Sequence, residues 1–463
     1  MLDIVIVGAG IAGLAAGISL RRAGHKVCIY ERSATDNEVS VAVSVPPNVS
    51  RFLTRWGLDP QGSGFVKAGP VHFQDPVTLE TTSTLSHASN EDHYDADLWY
   101  AHRVGLRDAL KKMATDAEGP GIPVTIHFNS SVVEYSTEPP AITFATGEKV
   151  QADLIVGADG IHSIACETVI GRKNPPVPSS PYNCCYQFLI LAEVLEEDPE
   201  TRFWNENADG LARLFSHTET SKRLVSYPCR NNTTHNIFGI CYDEEMKSAT
   251  PEDYNANVDK AKFIEKFEGF HPKLLNVINK ATEIKRWPIL CSAPAPTWRR
   301  GNMVLVGDAA HPMLPYQEQG DAMGIEDGVA LGVVMSGVSN PSEVEKRLEQ
   351  YERIRRDRTR AVQILSNVDQ DQYHLVEEEL LQFLPTENIP RDPQESIIFH
   401  FDYDVADEAV RIMEDFDPSF QLPHNFFDDN SFYMLQVNEE LSKIGGFIKV
   451  ETEISVESEP VGA

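Results

Sequence analysis

The sequence predicts an α/β fold: a discontinuous domain built on a parallel sheet, interleaved with a β-rich domain and followed by a C-terminal helical region. Three observations predict it. Residues 1–32 read as strand, glycine turn, helix and strand, a βαβ unit that needs helices on the faces of its sheet. Two later buried strands, 153–156 and 303–306, each run into a Gly/Asp turn. Between them lie short strands set off by turn residues, so the first domain must be left and re-entered. The parallel-sheet domain is expected at 1–70, 97–172 and 285–340, and the β-rich domain at 71–96 and 173–284. The helical region follows at 341–450, with an acidic tail at 451–463.

The elements follow in order. Residues 2–7 form an apolar strand, 11–22 a helix ended by Gly24, and 27–30 a second strand. Leu106, Leu110 and Met113 recur at helical spacing and predict a helix over 105–117. Short strands are expected at 124–128, 131–135, 141–144 and 153–156. The proline- and serine-rich run 173–181 marks a boundary. Residues 182–242 read as β-rich, with strands at 186–191, 223–227 and 236–242, and 251–285 read as helical. After the strand at 303–306 the chain is mostly helical beyond 326, with a strongly charged stretch over 343–360.

A length of 463 residues, 41% hydrophobic, allows two or three domains. Seventy acidic against forty basic residues give a net charge of −30, which repels phosphate backbones and argues against a nucleic-acid partner. No stretch approaches the roughly 18 apolar residues of a membrane span. The first strand begins at Leu2 with no basic segment before it, so no signal peptide is expected. Seven scattered cysteines without a CxxC pair fit buried thiols in a reducing, cytoplasmic setting. No metal site is expected, because His311 with Asp308 is not a ligand set.

The run Gly8-Ala9-Gly10-Ile11-Ala12-Gly13 follows a strand and opens a helix. Its first glycine permits the tight turn, the second lets backbone approach a pyrophosphate, and the third lets helix and strand pack closely. The helix N-terminus offers free N–H groups to the phosphates. Glu31, at the end of the second strand, can accept from a ribose 2′-hydroxyl and would repel a 2′-phosphate, which disfavours NADP there. The loop alone leaves FAD and NAD open. Gly307-Asp308 and Gly157-Ala158-Asp159-Gly160 repeat the strand-end logic, where α/β sheets place their ligand crevice. Read by itself, Gly-Asp at a strand end is an ordinary turn, and Asp159 is a loop-holding residue.

Taken together, the three segments resemble the class A FAD-dependent monooxygenases, the family of para-hydroxybenzoate and salicylate hydroxylases, over roughly residues 1–360. Val45-Pro46-Pro47-Asn48, Arg55-Trp56-Gly57-Leu58, His102-Arg103 and Arg286-Trp287-Pro288 resemble the salicylate-hydroxylase-like branch common in fungi. The resemblance implies that the first domain is a Rossmann-like FAD-binding domain and the second a substrate domain. It implies FAD contacts at Gly8, Gly10, Gly13, Glu31, Arg32, Ala42, Arg103, Asp159, Asp308, Gly320 and Asp321. Pro315 would sit near the flavin's reactive face, with Tyr227 and Gln187 as substrate-pocket candidates. Gln187 stands where relatives often carry Arg, which weakens any grip on a carboxylate or phenolate, and Tyr227 reads at least as well as an exposed strand residue. Glu318 and Asp321 add carboxylates beside the flavin loop that either face solvent or steer a cationic or hydrogen-bonding substrate.

The implied activity uses NAD(P)H, bound transiently because no second glycine fingerprint is apparent, and O₂. One oxygen atom enters a small aromatic or polycyclic, secondary-metabolite-like substrate by way of a flavin C4a-hydroperoxide. The alternative is an FAD-dependent oxidase or reductase on the same scaffold without oxygen insertion. A monomer or homodimer is expected.

Overall fold

A computed structural model describes residues 1–34, 41–86, 93–179, 183–217, 220, 222–248, 256–368 and 372–427. The expected tail at 451–463, and the part of the expected helical region beyond 427, lie outside the described residues.

The N-terminal unit is strand β1 (Asp3–Val7), helix α1 (Ile11–Arg22) and strand β2 (Lys26–Tyr30). Strand β3 (Ala42–Val45), helix α2 (Pro47–Arg55), strand β4 (Trp99–His102), helix α3 (Arg103–Thr115) and strand β5 (Thr125–His127) follow. Next come β6 (Leu154–Gly157), α4 (Ile164–Ile170), β7 (Asn183–Leu191), β8 (Lys222–Cys229), β9 (Thr234–Tyr242) and β10 (Ile284–Pro288). Strand β11 (Met303–Leu305) and helices α5 (Gly320–Met335) and α6 (Val344–Leu365) complete the framework.

The first sheet runs β11-β6-β1-β2-β5, all parallel, with the short antiparallel strand Arg299–Arg300 outside β11. From β1 the chain crosses one way to β2 and β5, then returns to β6 on the opposite side of β1. The strand order therefore reverses at the C-terminal ends of β1 and β6, where open α/β sheets bind ligands. Helix α5 lies against α1 through Gly324, Gly328 and Gly332. A Cβ on these residues would come within 2.9 Å of Ala12 Cβ, 2.7 Å of Ala15 C and 1.8 Å of Ser19 Oγ. That glycine stripe brings the N-termini of the two helices to the same end of the sheet.

The second sheet has eight strands, ordered Ala256–Val258, β10, β7, β9, β8, Ala212–His217, Val71–Gln74 and Thr81–Leu85. Along β7 exposure alternates. Tyr186 and Phe188 point to a core under the helix Lys260–Lys266, where Tyr186 stacks on Phe263 at 4.9 Å. Cys185 packs with Leu314 and Tyr316 of the first domain, and Leu189 packs with Ala42 and Tyr227, so both look the other way. The neighbouring cysteines 184 and 185 thus fall on opposite faces, as period-two geometry requires.

Two expectations need correction. The stretch 251–285 is not wholly helical: Ala256–Val258 is an edge strand ahead of helices Lys260–Lys266 and Pro272–Asn279. The third piece of the parallel-sheet domain does not begin at 285 either, since β10 pairs with β7 (Cys185 opposite Trp287) inside the β-rich sheet. Burial of Ile284, Arg286 and Pro288 in alternation makes this stretch a sheet strand. Among the described residues no helix is long and apolar enough to cross a membrane.

Candidate active site

The three glycines of the first turn have three different surroundings. Gly8 has φ +109°, and a Cβ there would lie 2.2 Å from Ala158 O. A Cβ on Gly13 would lie 2.1 Å from Gly8 O, whereas one on Gly10 meets nothing within 4 Å. The first and third positions are closed by the protein's own backbone, and the second borders empty space. Gly10 is also the N-cap of α1 and supplies no side-chain cap, so the helix's first N–H groups are left for a ligand. A diphosphate fits this cradle. Glu31 closes one side: one of its oxygens accepts from Ala9 N at 2.9 Å and the other from Ser33 N at 2.8 Å. Each oxygen keeps a lone pair for a ribose hydroxyl. Arg32 is exposed at the rim, and its charge, after burial, holds the His162 imidazole low.

Asp159 is occupied by its own loop. It accepts from the Ser163 hydroxyl, from Tyr135 Oη at 3.1 Å and from Ala165 N at 3.1 Å. Burial pushes its carboxyl up and these bonds pull it back. The side chain fixes the loop whose Ala158 carbonyl abuts Gly8, the loop-holding role that the residue type allowed.

The turn after β11 presents Asp308. This residue is solvent-accessible yet walled in by protein, which is the position of a group lining a cleft. Burial and then the nearby Asp321 raise its carboxyl, and His311 and Arg103 draw it down. Arg103 opens α3, held by its N–H on Val41 O at 2.8 Å, and its Nη2 lies 3.5 Å from Asp321 Oδ1 in the first turn of α5. Residues 103, 308 and 321, far apart in sequence, therefore meet beside Gly320.

Beneath the turn lies a charge network that the sequence did not reveal. Asp327 accepts from Gly307 N at 2.8 Å, His311 Nε2 at 2.5 Å and Arg355 Nε at 2.8 Å. Arg355 Nη1 binds Glu326 at 2.6 Å, and Asn48 Nδ2 binds the other Glu326 oxygen at 2.7 Å. Burial would raise the Asp327 carboxyl, but His311 and Arg355 hold it down at about 2. Two adjacent acids inside an otherwise apolar helix were the available signal, since such residues are rarely buried without a partner.

The wall facing β7 and β9 is different. Leu314 and Tyr316, on either side of Pro315, pack with Cys185, Ile240 and Ile289, and Tyr316 Oη accepts from Asn183 Nδ2 at 2.8 Å. Tyr227 is not an exposed strand residue: it is 4% exposed, stacks on Tyr100 at 4.6 Å, and donates its hydroxyl to Ala42 O at 2.9 Å. Gln187 Nε2 donates to Asn236 Oδ1 at 2.9 Å. Glu318 ends the Pro315 turn with φ +53° and accepts from the Ser44 hydroxyl. A separate cavity of about 1130 Å³ lies among C-terminal helices, lined by Arg353, Phe383, Ile398 and Asp407, and contains none of these groups.

The FAD-binding-domain family model matches residues 1–366. The FAD-dependent monooxygenase cfoG of Aspergillus candidus is 45% identical over 92% of this chain and 98% of its own. Hispidin-3-hydroxylase of Neonothopanus nambi is 32% identical over 78% of this chain and 86% of its own. A salicylate hydroxylase substrate complex superposes with a TM-score of 0.68 at 20% identity, over 89% of this chain and 97% of that one. The chain accordingly belongs to the class A FAD-dependent monooxygenases.

Proposed function

We propose that this monooxygenase uses NAD(P)H and O₂ to place one oxygen atom on a small aromatic or polycyclic substrate bound between the Pro315–Glu318 turn and strands β7 and β9. One observation carries the reading. The same turn that follows Asp308 packs Leu314 and Tyr316 on Cys185, Ile240 and Ile289, so the loop that carries Asp308 leads directly into an apolar wall. The relationship to a hispidin hydroxylase supports an aromatic substrate. Bound FAD supplies the redox and oxygen chemistry.

The chain's own groups supply placement. Gly10 and the α1 N-terminus would hold the diphosphate, and Glu31 the adenosine ribose. Asp308 and Arg103 would hold the middle of the cofactor. Pro315, Tyr227 and Gln187 would bound the substrate side, where apolar packing excludes water. All seven cysteines are free, which fits a reducing, cytoplasmic setting.

The test is direct. Purified protein loaded with FAD should oxidise NAD(P)H faster when an aromatic substrate from a screening panel is added. The product should carry ¹⁸O from ¹⁸O₂. Stimulated turnover without ¹⁸O in any product would favour an oxidase or reductase instead.

A further inference from the structure

Glu318 stands out from the rest of the substrate wall. A non-glycine residue at φ +53° is uncommon, and here it turns the side chain toward β3, where one carboxylate oxygen takes the Ser44 hydroxyl. The residue remains solvent-accessible. Its charge acts on the phenols of Tyr100 and Tyr227, so it lies beside the stacked pair at the substrate wall. Burial raises its carboxyl and the Ser44 hydrogen bond draws it back. Arg103, at the start of α3, is directed to Asp321.

Most of the polar groups around the wall are engaged with one another, and the Arg223 guanidinium lies over the Tyr316 ring, 5.6 Å from its centroid. Gln187 bonds Asn236, Tyr227 bonds the Ala42 carbonyl, and Cys185, Phe238 and Ile240 add no charge. A substrate entering here meets one hydrogen-bond acceptor carrying a full negative charge.

We propose that Glu318 is the specificity-determining residue of this pocket, accepting the hydrogen bond of a phenolic hydroxyl on an uncharged aromatic and rejecting aromatic carboxylates. The hydroxyl's O–H bond breaks, its electron pair stays on the phenol oxygen, and the proton moves to the Glu318 carboxylate. The resulting electron-rich ring is the form suited to oxygen transfer. A ring carrying a carboxylate next to that hydroxyl would instead set like charges together at Glu318. This inference rests on the aromatic reading above and adds the charge class of the substrate.

The test uses the FAD-loaded enzyme under anaerobic conditions and follows the flavin absorbance. The probes are 2-naphthol and its carboxylated counterpart, 3-hydroxy-2-naphthoate. The wild type should bind 2-naphthol at least about ten-fold more tightly. In Glu318→Gln that preference should shrink by about ten-fold, mainly because the carboxylate gains affinity. Unchanged FAD content and melting temperature in the variant would confirm that it folds. Equal or tighter binding of the carboxylate by the wild type, or an unchanged ratio in the variant, overturns the assignment of Glu318 alone. Binding of neither probe overturns the aromatic reading and this inference together.

Discussion

The carboxylate of Asp327 accepts the backbone N–H of Gly307 at 2.8 Å, so the turn that presents Asp308 is tied to the interior of helix α5. The same carboxylate holds His311 and Arg355, and Arg355 reaches Glu326. The turn that carries Asp308 is therefore positioned by buried charges behind it. Such a network is costly to break from one side.

Arg355→Leu should show that cost. Arg355, Glu326 and Asp327 are all fully buried, and removing the guanidinium leaves two carboxylates without their main cation. The expected destabilisation is about 3–5 kcal/mol in urea unfolding, with weaker FAD retention. A loss under about 1 kcal/mol would mean that the network does not hold the turn.

Asp327 also gives stability a pH dependence. Its folded carboxyl sits at about 2, below its ordinary 3.8, because His311 and Arg355 overcome burial. A depressed carboxyl contributes its stabilisation in full above the unfolded value and loses it as the pH falls through the folded one. The contribution is about 2 kcal/mol, fully present above roughly pH 4. The stability gap between wild type and Asp327→Asn should narrow by about 1 kcal/mol on acidification from pH 6 to about pH 3. A gap that stays constant across that window would remove Asp327 as the source.

Much of this was legible in the sequence because local chemistry dictated it. The Gly8–Gly13 turn, Glu31 at the end of β2 and the Gly/Asp turns of β6 and β11 are short-range features with a fixed steric meaning. Arg103 and Asp321 were legible only through resemblance, since nothing local says that two residues 218 positions apart will meet. The Arg355 network was not legible, because a charged helix reads as solvated until its partner helix is known. The edge strand Ala256–Val258 was missed because three residues beside two helices give no alternation to read.

Gly8 and Gly10 should separate under mutation. At Gly8 a Cβ collides with Ala158 O at 2.2 Å and the backbone is left-handed, so Gly8→Ala should lower the melting temperature whether or not FAD is present. At Gly10 a side chain enters open space, so Gly10→Val should leave the apoprotein's melting temperature near the wild-type value and abolish FAD retention. Full flavin content in purified Gly10→Val would overturn the assignment of this turn to the diphosphate.

Glu318 should set the acid limb of the pH profile. Burial raises its carboxyl above the ordinary range, and the groups facing it are Ser44 from β3, Tyr100 from β4 and Tyr227 from β8, with Asp321 three residues on. The two phenols remain protonated, because burial pushes both upward. A proton acceptor works only as the carboxylate, so kcat/KM for a phenolic substrate should be at its plateau above the raised value. It should then fall with unit slope as the pH drops through that value. Glu318→Gln cannot accept the proton, so its kcat/KM should drop by about 10²–10⁴-fold at the plateau. Its profile should also flatten on the acid side. The drop should appear mainly in kcat, since the amide oxygen still accepts a hydrogen bond from the hydroxyl. If the acid limb survives in Glu318→Gln, another group takes the proton.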